Sequence, residues 1–282
     1  MSSLQVMSFN LRVPVESHGP GHPDHWHDRL PAIVEVLRER RPHLVGTQEG
    51  VWPQLRVILD ELPHYGLIGT GRDGGSRAEY SAILYDRERF DLESWDQWWL
   101  SPTPTHVGSV GWGASCTRIA VIADLLDRAS GQVVTMVNTH LDHVSDEART
   151  EGARSIVDRL GAATTPPRAA IVTGDFNCAG GASEAWRVLT EAGLDDTWLV
   201  AAEREGEGLA TFHGYSEPSA DPAGQAQIPP THLPGSLGQA VRIDWVLASP
   251  DWKVERAELV LDRPAGVWPS DHWPLAATLT RA

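Results

Sequence analysis

The stretch Ile171-Val172-Thr173-Gly174-Asp175-Phe176-Asn177 is an apolar run that reaches a glycine and then sets an acid and an amide two residues apart. In an extended segment residues i and i+2 share a side, so Asp175 and Asn177 address one ligand. The acid serves as acceptor or base, and the amide is a neutral donor that tolerates an oxyanion. Alone, the pattern reads equally well as an Asx-type turn closing a strand. The other predicted strands tip the balance, because several carry the same change from apolar to polar at one end. They are Leu4–Leu11 with Asn10, Leu44–Gln48 with Glu49 just beyond, Val133–His140, Ala169–Asp175, Val241–Ala248 with Asp244, and Leu275–Leu279 preceded by Asp271 and His272. Strands lying side by side would gather these groups at one rim. Carboxylates crowded there repel one another unless a divalent cation neutralises them, which points to a hard, oxygen-liganded metal.

Further strands are predicted at Ser81–Tyr85 and Arg118–Leu126, and helices at Asp28–Arg40, Trp52–Leu62, Ser145–Leu160 and Ser183–Ala192. Ser145 supplies an N-cap, with Asp146 and Glu147 in the first turn. Short apolar runs alternating with amphipathic stretches define an α/β layer protein. At 282 residues and 41% hydrophobic content the chain can bury a full core, and residues 1–282 read as a single domain with long loops at 13–27 and 203–240.

Acidic residues outnumber basic ones 38 to 23, a formal charge of −15, and Lys253 is the only lysine. Such a chain repels polyanions at long range, which excludes a basic duplex-wrapping protein and makes duplex DNA a poor partner. Cys116 and Cys178 lie far apart in no paired-thiol spacing, so they read as free thiols in a reducing compartment. No opening signal pattern and no apolar run near the ~18 residues of a membrane span is visible, so the expectation is a cytoplasmic chain with no membrane span and no indicated protein partner.

In order, the chain offers Met7-Ser-Phe-Asn10, Thr47-Gln-Glu49, Asn138-Thr-His140, Gly174-Asp-Phe-Asn177, Arg242-Ile-Asp244 and Ser270-Asp-His272. This series resembles the endonuclease/exonuclease/phosphatase superfamily typified by deoxyribonuclease I, over nearly the whole chain. The stretches GRDGGSRAEYSAILYDRERF and VNTHLDHVSDEAR are similar to bacterial relatives of its deadenylase branch. The resemblance implies a four-layered α/β sandwich, with two central mixed β-sheets flanked by helices and an open cleft at one edge. It implies Mg²⁺, with Mn²⁺ as a possible substitute, held by Glu49 with Asn10 beside it and served by Asp271. His272 would be the general base or the imidazole that contacts phosphate, oriented by Asp244. Asp175 and Asn177 would position the attacking water and the scissile phosphate. His140 would donate to a phosphoryl oxygen or the leaving group from the opposite flank, oriented by Glu79, and Arg118 would approach the phosphate.

Residue types alone agree with that assignment: phosphoester hydrolysis needs an aligned water, neutralised nonbridging oxygens and relief for the departing oxygen. Asp142 shares a side with His140 by strand alternation and is expected at the cleft edge. His213 is a candidate substrate contact, and Trp112, between two glycines, a candidate for stacking on a base or capping a pocket. His22-x-x-His25-x-His27 carries zinc-ligand residue types, but a proline-rich loop offers no evident support for the ligands, and a solvated rim is the plainer reading. The expected substrate is a phosphorylated small molecule. The alternatives are single-stranded nucleic acid, as for a deadenylase-like exonuclease, and a catalytically silent binding module of the same fold.

Overall fold

The structure, a computed structural model, describes residues 3–163, 169–217 and 241–282. The chain begins with β1 (Leu4–Asn10), α1 (Trp26–Arg40), β2 (Leu44–Gln48), α2 (Trp52–Glu61), β3 (Tyr65–Ile68) and β4 (Ile83–Asp86). It continues through β5 (Phe90–Trp99), β6 (Ile119–Asp127), β7 (Gln132–His140), α3 (Asp146–Ala163), β8 (Ala169–Asp175), α4 (Glu184–Glu191) and β9 (Asp195–Asp196). After α5 (Thr197–Val200) and β10 (Glu203–Glu205) come β11 (Asp244–Ala248), β12 (Trp252–Leu259) and β13 (Leu275–Arg281). Hydrogen bonding orders one sheet β10-β12-β13-β1-β2-β4-β3 and the other β5-β6-β7-β8-β11-β9.

Alternation along each strand explains why these sheets stack. Leu4 and Val6 of β1, Val134 and Met136 of β7, and Ala169 and Ile171 of β8 meet in the core between the sheets. Their odd-face neighbours point the other way. Met7 and Phe9 pack with Ile33, Leu37, Leu55 and Ile58 of α1 and α2, while Ala170 and Val172 pack with Ile156 of α3 and Leu189 of α4. Both faces of each central strand are therefore apolar and covered, giving helix, sheet, sheet, helix. This is the four-layered sandwich expected from the sequence.

Toward one end the space between the sheets turns polar. Gln48 Nε2 donates to Asn138 Oδ1 at 2.8 Å, Thr173 Oγ1 to the same oxygen at 3.0 Å, and Asn138 Nδ2 to the Thr47 and Ala82 carbonyls. Gln48 and Asn138 thus find partners across the gap between the sheets, which fixes the sheets' register against each other. Gly46 is what lets them close here. A Cβ placed on it falls 2.0 Å from Thr173 Oγ1 and 2.4 Å from Asn138 Oδ1. Gly46→Ala is expected to destabilise by about 1–3 kcal/mol, the usual cost of overpacking, read as a lower urea midpoint at constant slope; a wild-type midpoint would show that the sheets part freely at this point.

All the predicted strands and helices form, with ends moved by a few residues; α1 starts at Trp26 and β11 at Asp244. β3, β5, β9, β10 and β12 and the single turn of α5 are additions. β5 is an edge strand with a bulge between Leu92 and Ser94 and a run of exposed residues from Glu93 to Asp96, so its sequence lacks an apolar face to announce it. The expected loop 13–27 ends earlier, at the start of α1. The expected loop 203–240 contains β10, and residues 218–240 lie outside the described residues. Among the described residues, no helix is long and apolar enough to cross a membrane.

Candidate active site

Strand register assembles the site. His140, Asp175 and Asp244 stand opposite one another across β7, β8 and β11. In the facing sheet Asn10 pairs with Gln48 across β1 and β2, and Glu49 follows directly, its backbone turned to a φ of 62°. Asn10, Gln48, His140, Asp175 and Asp244 continue the alternation that fills the core between the sheets along their strands, and Glu49 leaves it through its positive φ.

Asp175 is the hub. Its Oδ2 accepts Asn10 Nδ2 at 3.0 Å and lies 3.6 Å from His140 Nε2 and 3.8 Å from His272 Nε2. Asn10 Nδ2 also donates to Glu49 Oε1 at 2.9 Å, so one amide bridges two carboxylates. Glu49 Oε2 accepts the Val13 N–H. His272 Nδ1 and Asp244 Oδ2 are 2.8 Å apart, and Thr211 Oγ1 holds that end of β11 by accepting the Ile243 and Asp244 N–H groups. Glu49 and His272, far apart in the chain, thus stand on either side of Asn10 and Asp175 at one rim.

The electrostatics assign protonation states. Burial, followed by the charge of Asp244, pushes Asp175 up to about 7. Burial works against a charged His272, yet Asp244, with help from Asp175 and Asp271, outweighs it and lifts the imidazole to about 10. His272 is thus an imidazolium at neutral pH, which favours the phosphate-contacting role over the base. His140 goes the opposite way: burial and then the Arg118 and Arg72 guanidinium groups hold it well below the ordinary imidazole value. Burial disfavours the charged form of Glu49, but the Val13 and Asn10 donors, with His272 and Arg12, keep it below the usual carboxylate range.

The structure corrects the arrangements expected of His140, Glu79, Asp142 and His213. Asn177 Nδ2 donates to His140 Nε2 at 2.9 Å and to the Leu141 carbonyl, so His140 accepts at Nε2 rather than donating there, and Asn177 braces it. Glu79 does not orient His140; it forms a two-pronged pair with Arg72, at 2.7 and 3.1 Å. Asp142 is saturated by the Ser115 N–H and hydroxyl and by the Val144 and Ser145 N–H groups, so it organises a turn and leaves no oxygen for substrate. His213 is buried between Trp268 and Trp273 and held down to about 3 by burial, away from any exposed contact surface. Trp112 leans on the apolar cluster beneath α3. Asp271 faces Arg12 at 3.5 Å, and Arg118 Nη2 lies 3.0 Å from His143 Nδ1.

The sequence reading missed a supporting network. Arg12 grips Asp24 with two hydrogen bonds and lies 4.0 Å from Glu49. Tyr215 donates its hydroxyl to Asp24, and the fully buried Arg29 donates to the carbonyls of Leu11, Arg12 and Pro269. Arg29 therefore fastens the segment after β1 to the segment before His272. Its signal was present, since Arg29 falls four residues before Ile33 on the buried stripe of α1. The histidines His22, His25 and His27 do not converge: His25 turns to Asp28, and the group that does gather is His18, His22 and Asp24, whose acid is already held by Arg12 and Tyr215.

The chemistry of the donors fits a hard divalent cation. Ligand atoms of Glu49, His140 and Asp175 come within 4.8 Å of one another, as do those of Asp175, Asp244 and His272, and Asp244 Oδ1 is buried with no hydrogen-bond partner among the described residues. Acids this crowded and this dry are raised or orphaned for want of positive charge.

The profile of the endonuclease/exonuclease/phosphatase family matches residues 7–272, and the chain belongs to that family. It is a phosphoester hydrolase. Similar solved structures include the endonuclease/exonuclease/phosphatase of Bacteroides vulgatus, 29% identical with all of both chains covered and a TM-score of 0.86. Another is the mannosyl-6-phosphatase Bt3783 of Bacteroides thetaiotaomicron, 30% identical over 98% of this chain and 99% of that one, with a TM-score of 0.84. The catalytic domain of human Nocturnin, 18% identical over 99% and 95% with a TM-score of 0.70, shares the fold. Comparison with curated proteins finds no match.

Proposed function

We propose that the protein is a Mg²⁺-dependent phosphomonoesterase acting on a small phosphorylated molecule, with Mn²⁺ as a possible substitute. The observation that carries this reading is the gathering of six polar side chains at one rim, with Asn10, His140 and His272 within 3.8 Å of Asp175 Oδ2, Glu49 on the Asn10 amide and Asp244 on the His272 ring. Glu49 would hold the cation, flanked by Asn10 and Asp175; when bound it supplies positive charge to the phosphoryl oxygens. Asp175, buried between Asn10 and the two imidazoles, takes a proton from the attacking water. The His272 imidazolium, fixed by Asp244, donates Nε2–H to a nonbridging oxygen. Asn177 keeps the neutral His140 in place at the far flank. The water's oxygen bonds to phosphorus as its proton passes to Asp175, the phosphorus–alcohol bond breaks, and the departing alkoxide takes a proton from solvent, to which Asp175 returns its own once inorganic phosphate has formed.

Two findings favour a small substrate over a polymer. The chain carries a formal charge of −15 with a single lysine, and the similar Bacteroides structure at 30% identity is a mannosyl-6-phosphatase. The test is hydrolysis of p-nitrophenyl phosphate, bis-p-nitrophenyl phosphate, sugar and nucleotide monophosphates, a poly(A) oligomer and plasmid after chelation and readdition of Mg²⁺ or Mn²⁺. Monoester turnover that disappears in chelator and returns with metal is expected. Cleavage of the oligomer without the monoesters would replace this reading with the exonuclease one, and undiminished rates in excess chelator would remove the metal.

A further inference from the structure

The sheet order lays the site out as a row. At one end His272 and Asp244 sit at β13 and β11; next come Asn10 and Asp175 at β1 and β8, then Glu49 and His140 at β2 and β7. Beyond His140 the row continues to the starts of β4 and β6, where Arg72, Glu79, Ser81, Thr117 and Arg118 line a small recess that opens on the His140 ring. In an in-line displacement the attacking and departing oxygens lie on opposite sides of phosphorus. With the water at the Asp175–His272 end, the alcohol leaves toward this recess.

The recess is rich in hydrogen-bonding groups and sets two guanidinium groups against one carboxylate. Arg72 is paired to Glu79 through both guanidinium nitrogens, and each side chain keeps about a fifth of its surface open, 19% and 20%. Arg118 is buried, its Nε has no hydrogen-bond partner among the described residues, and the nearest acid, Asp142, is 3.9 Å away. Glu79 already cancels the charge of Arg72 and repels a second phosphate or a carboxylate, which leaves Arg118 alone to meet one. A donor and an acceptor presented side by side, as in the Arg72–Glu79 pair, suit hydroxyl groups, which are both at once.

We propose that the Arg72–Glu79 pair, with Arg118, forms a clamp for hydroxyl groups of the departing alcohol and so selects phosphomonoesters of polyhydroxylated alcohols such as hexoses. The proposal rests on the phosphomonoesterase reading and names its substrate class. It also gives Glu79 a role in place of orienting His140.

The experiment compares hexose 6-phosphates with p-nitrophenyl phosphate, whose leaving group has no further hydroxyl, in the full-length wild type and in Arg72→Met and Glu79→Gln. In the wild type, kcat/KM is expected to favour at least one hexose phosphate. In both variants the ratio of the two kcat/KM values is expected to fall by about tenfold or more, chiefly through KM for the sugar ester, about what one lost buried hydrogen-bonding partner removes. Thermal melts accompany the kinetics; where Arg72→Met melts lower than wild type, the isosteric Glu79→Gln decides. A wild type with no preference for hexose phosphates overturns the clamp, as does an unchanged ratio in Glu79→Gln. A fall in kcat that is equal for both substrates overturns it too, in favour of a role through His140. A wild type that hydrolyses no monoester at all instead removes the underlying phosphomonoesterase reading.

Discussion

Asp175→Asn is expected to melt at a higher temperature than the wild type in metal-free buffer and to hydrolyse substrate about 10³-fold more slowly or worse when metal is restored. The two effects have one cause. Asp175 is raised from 3.8 to about 7 by burial and by the neighbouring charge of Asp244, with Glu49 adding to it. A carboxyl whose folded pKa lies above its unfolded value binds its proton more readily in the native state. Its contribution to stability is therefore fully present below about 3.8 and is lost as pH rises through about 7. Above that pH the native protein holds a charge it resists, at a cost of roughly 1.4 kcal/mol for each pH interval of one between the unfolded and folded values, a few kcal/mol in all. An asparagine side chain has the same shape without the charge. It does lose one acceptor, because Asp175 receives the Asn177 N–H on Oδ1 and the Asn10 amide on Oδ2. One lost hydrogen bond costs about 0.5–1.5 kcal/mol, so relief of the charge wins. Activity moves the other way, since an amide takes no proton from water. Thermal melts at pH 8 in chelator and initial rates in Mg²⁺ test both halves. A lower melting temperature would mean that Asp175 is held by its hydrogen bonds rather than strained by its neighbours.

Such strain is what a site built for a cation shows without one, and it bears on what the sequence made legible. Motif order and strand ends were enough to bring Asn10, Glu49, His140, Asp175, Asp244 and His272 to one rim: alternation makes the side of Asn10, His140, Asp175 and Asp244 a matter of counting from the apolar core, and motif order adds Glu49 and His272, which lie just outside their strands. The polarity of the chemistry was not legible. Whether His272 is a base or an imidazolium depends on three acids that come from β8, β11 and its own segment, and their distances exist only after folding. The same limit explains Glu79, Asp142 and His213. Each was a chemically capable residue near a motif, but its partners, Arg72, the Ser115 and Val144–Ser145 amides, and the two tryptophans, are set by the fold and not by any local pattern. Arg12 and Asp24 escaped for the converse reason: they lie in a stretch without periodicity, where nothing in the residue types says which charges will be buried together.

Asp244→Asn tests the other half of the electrostatic argument through the pH dependence of kcat/KM. Turnover needs Asp175 as carboxylate and His272 as imidazolium, so activity should fail as pH drops below the pKa of the first and as pH climbs past that of the second. The profile is a bell, its limbs displaced by bound Mg²⁺ below the values of about 7 and 10 that the two groups have without it. Asp244 raises both groups: it is the chief neighbour lifting His272 and, after burial, the main cause of the rise in Asp175. Removing its charge should therefore displace the whole bell toward acid, with the alkaline limb moving by at least about one pH unit because the 2.8 Å contact with Nδ1 is lost as well. The maximum should fall by about 10²- to 10⁴-fold, because Asn at position 244 no longer fixes the ring's tautomer or favours its charged form. If His272 were the base, its deprotonated form would be the active one, and the variant would lose the acid limb's position while gaining activity at high pH relative to its maximum. A bell that stays in place in Asp244→Asn, at whatever height, would show that the imidazole is held charged by the bound phosphate rather than by the acid behind it.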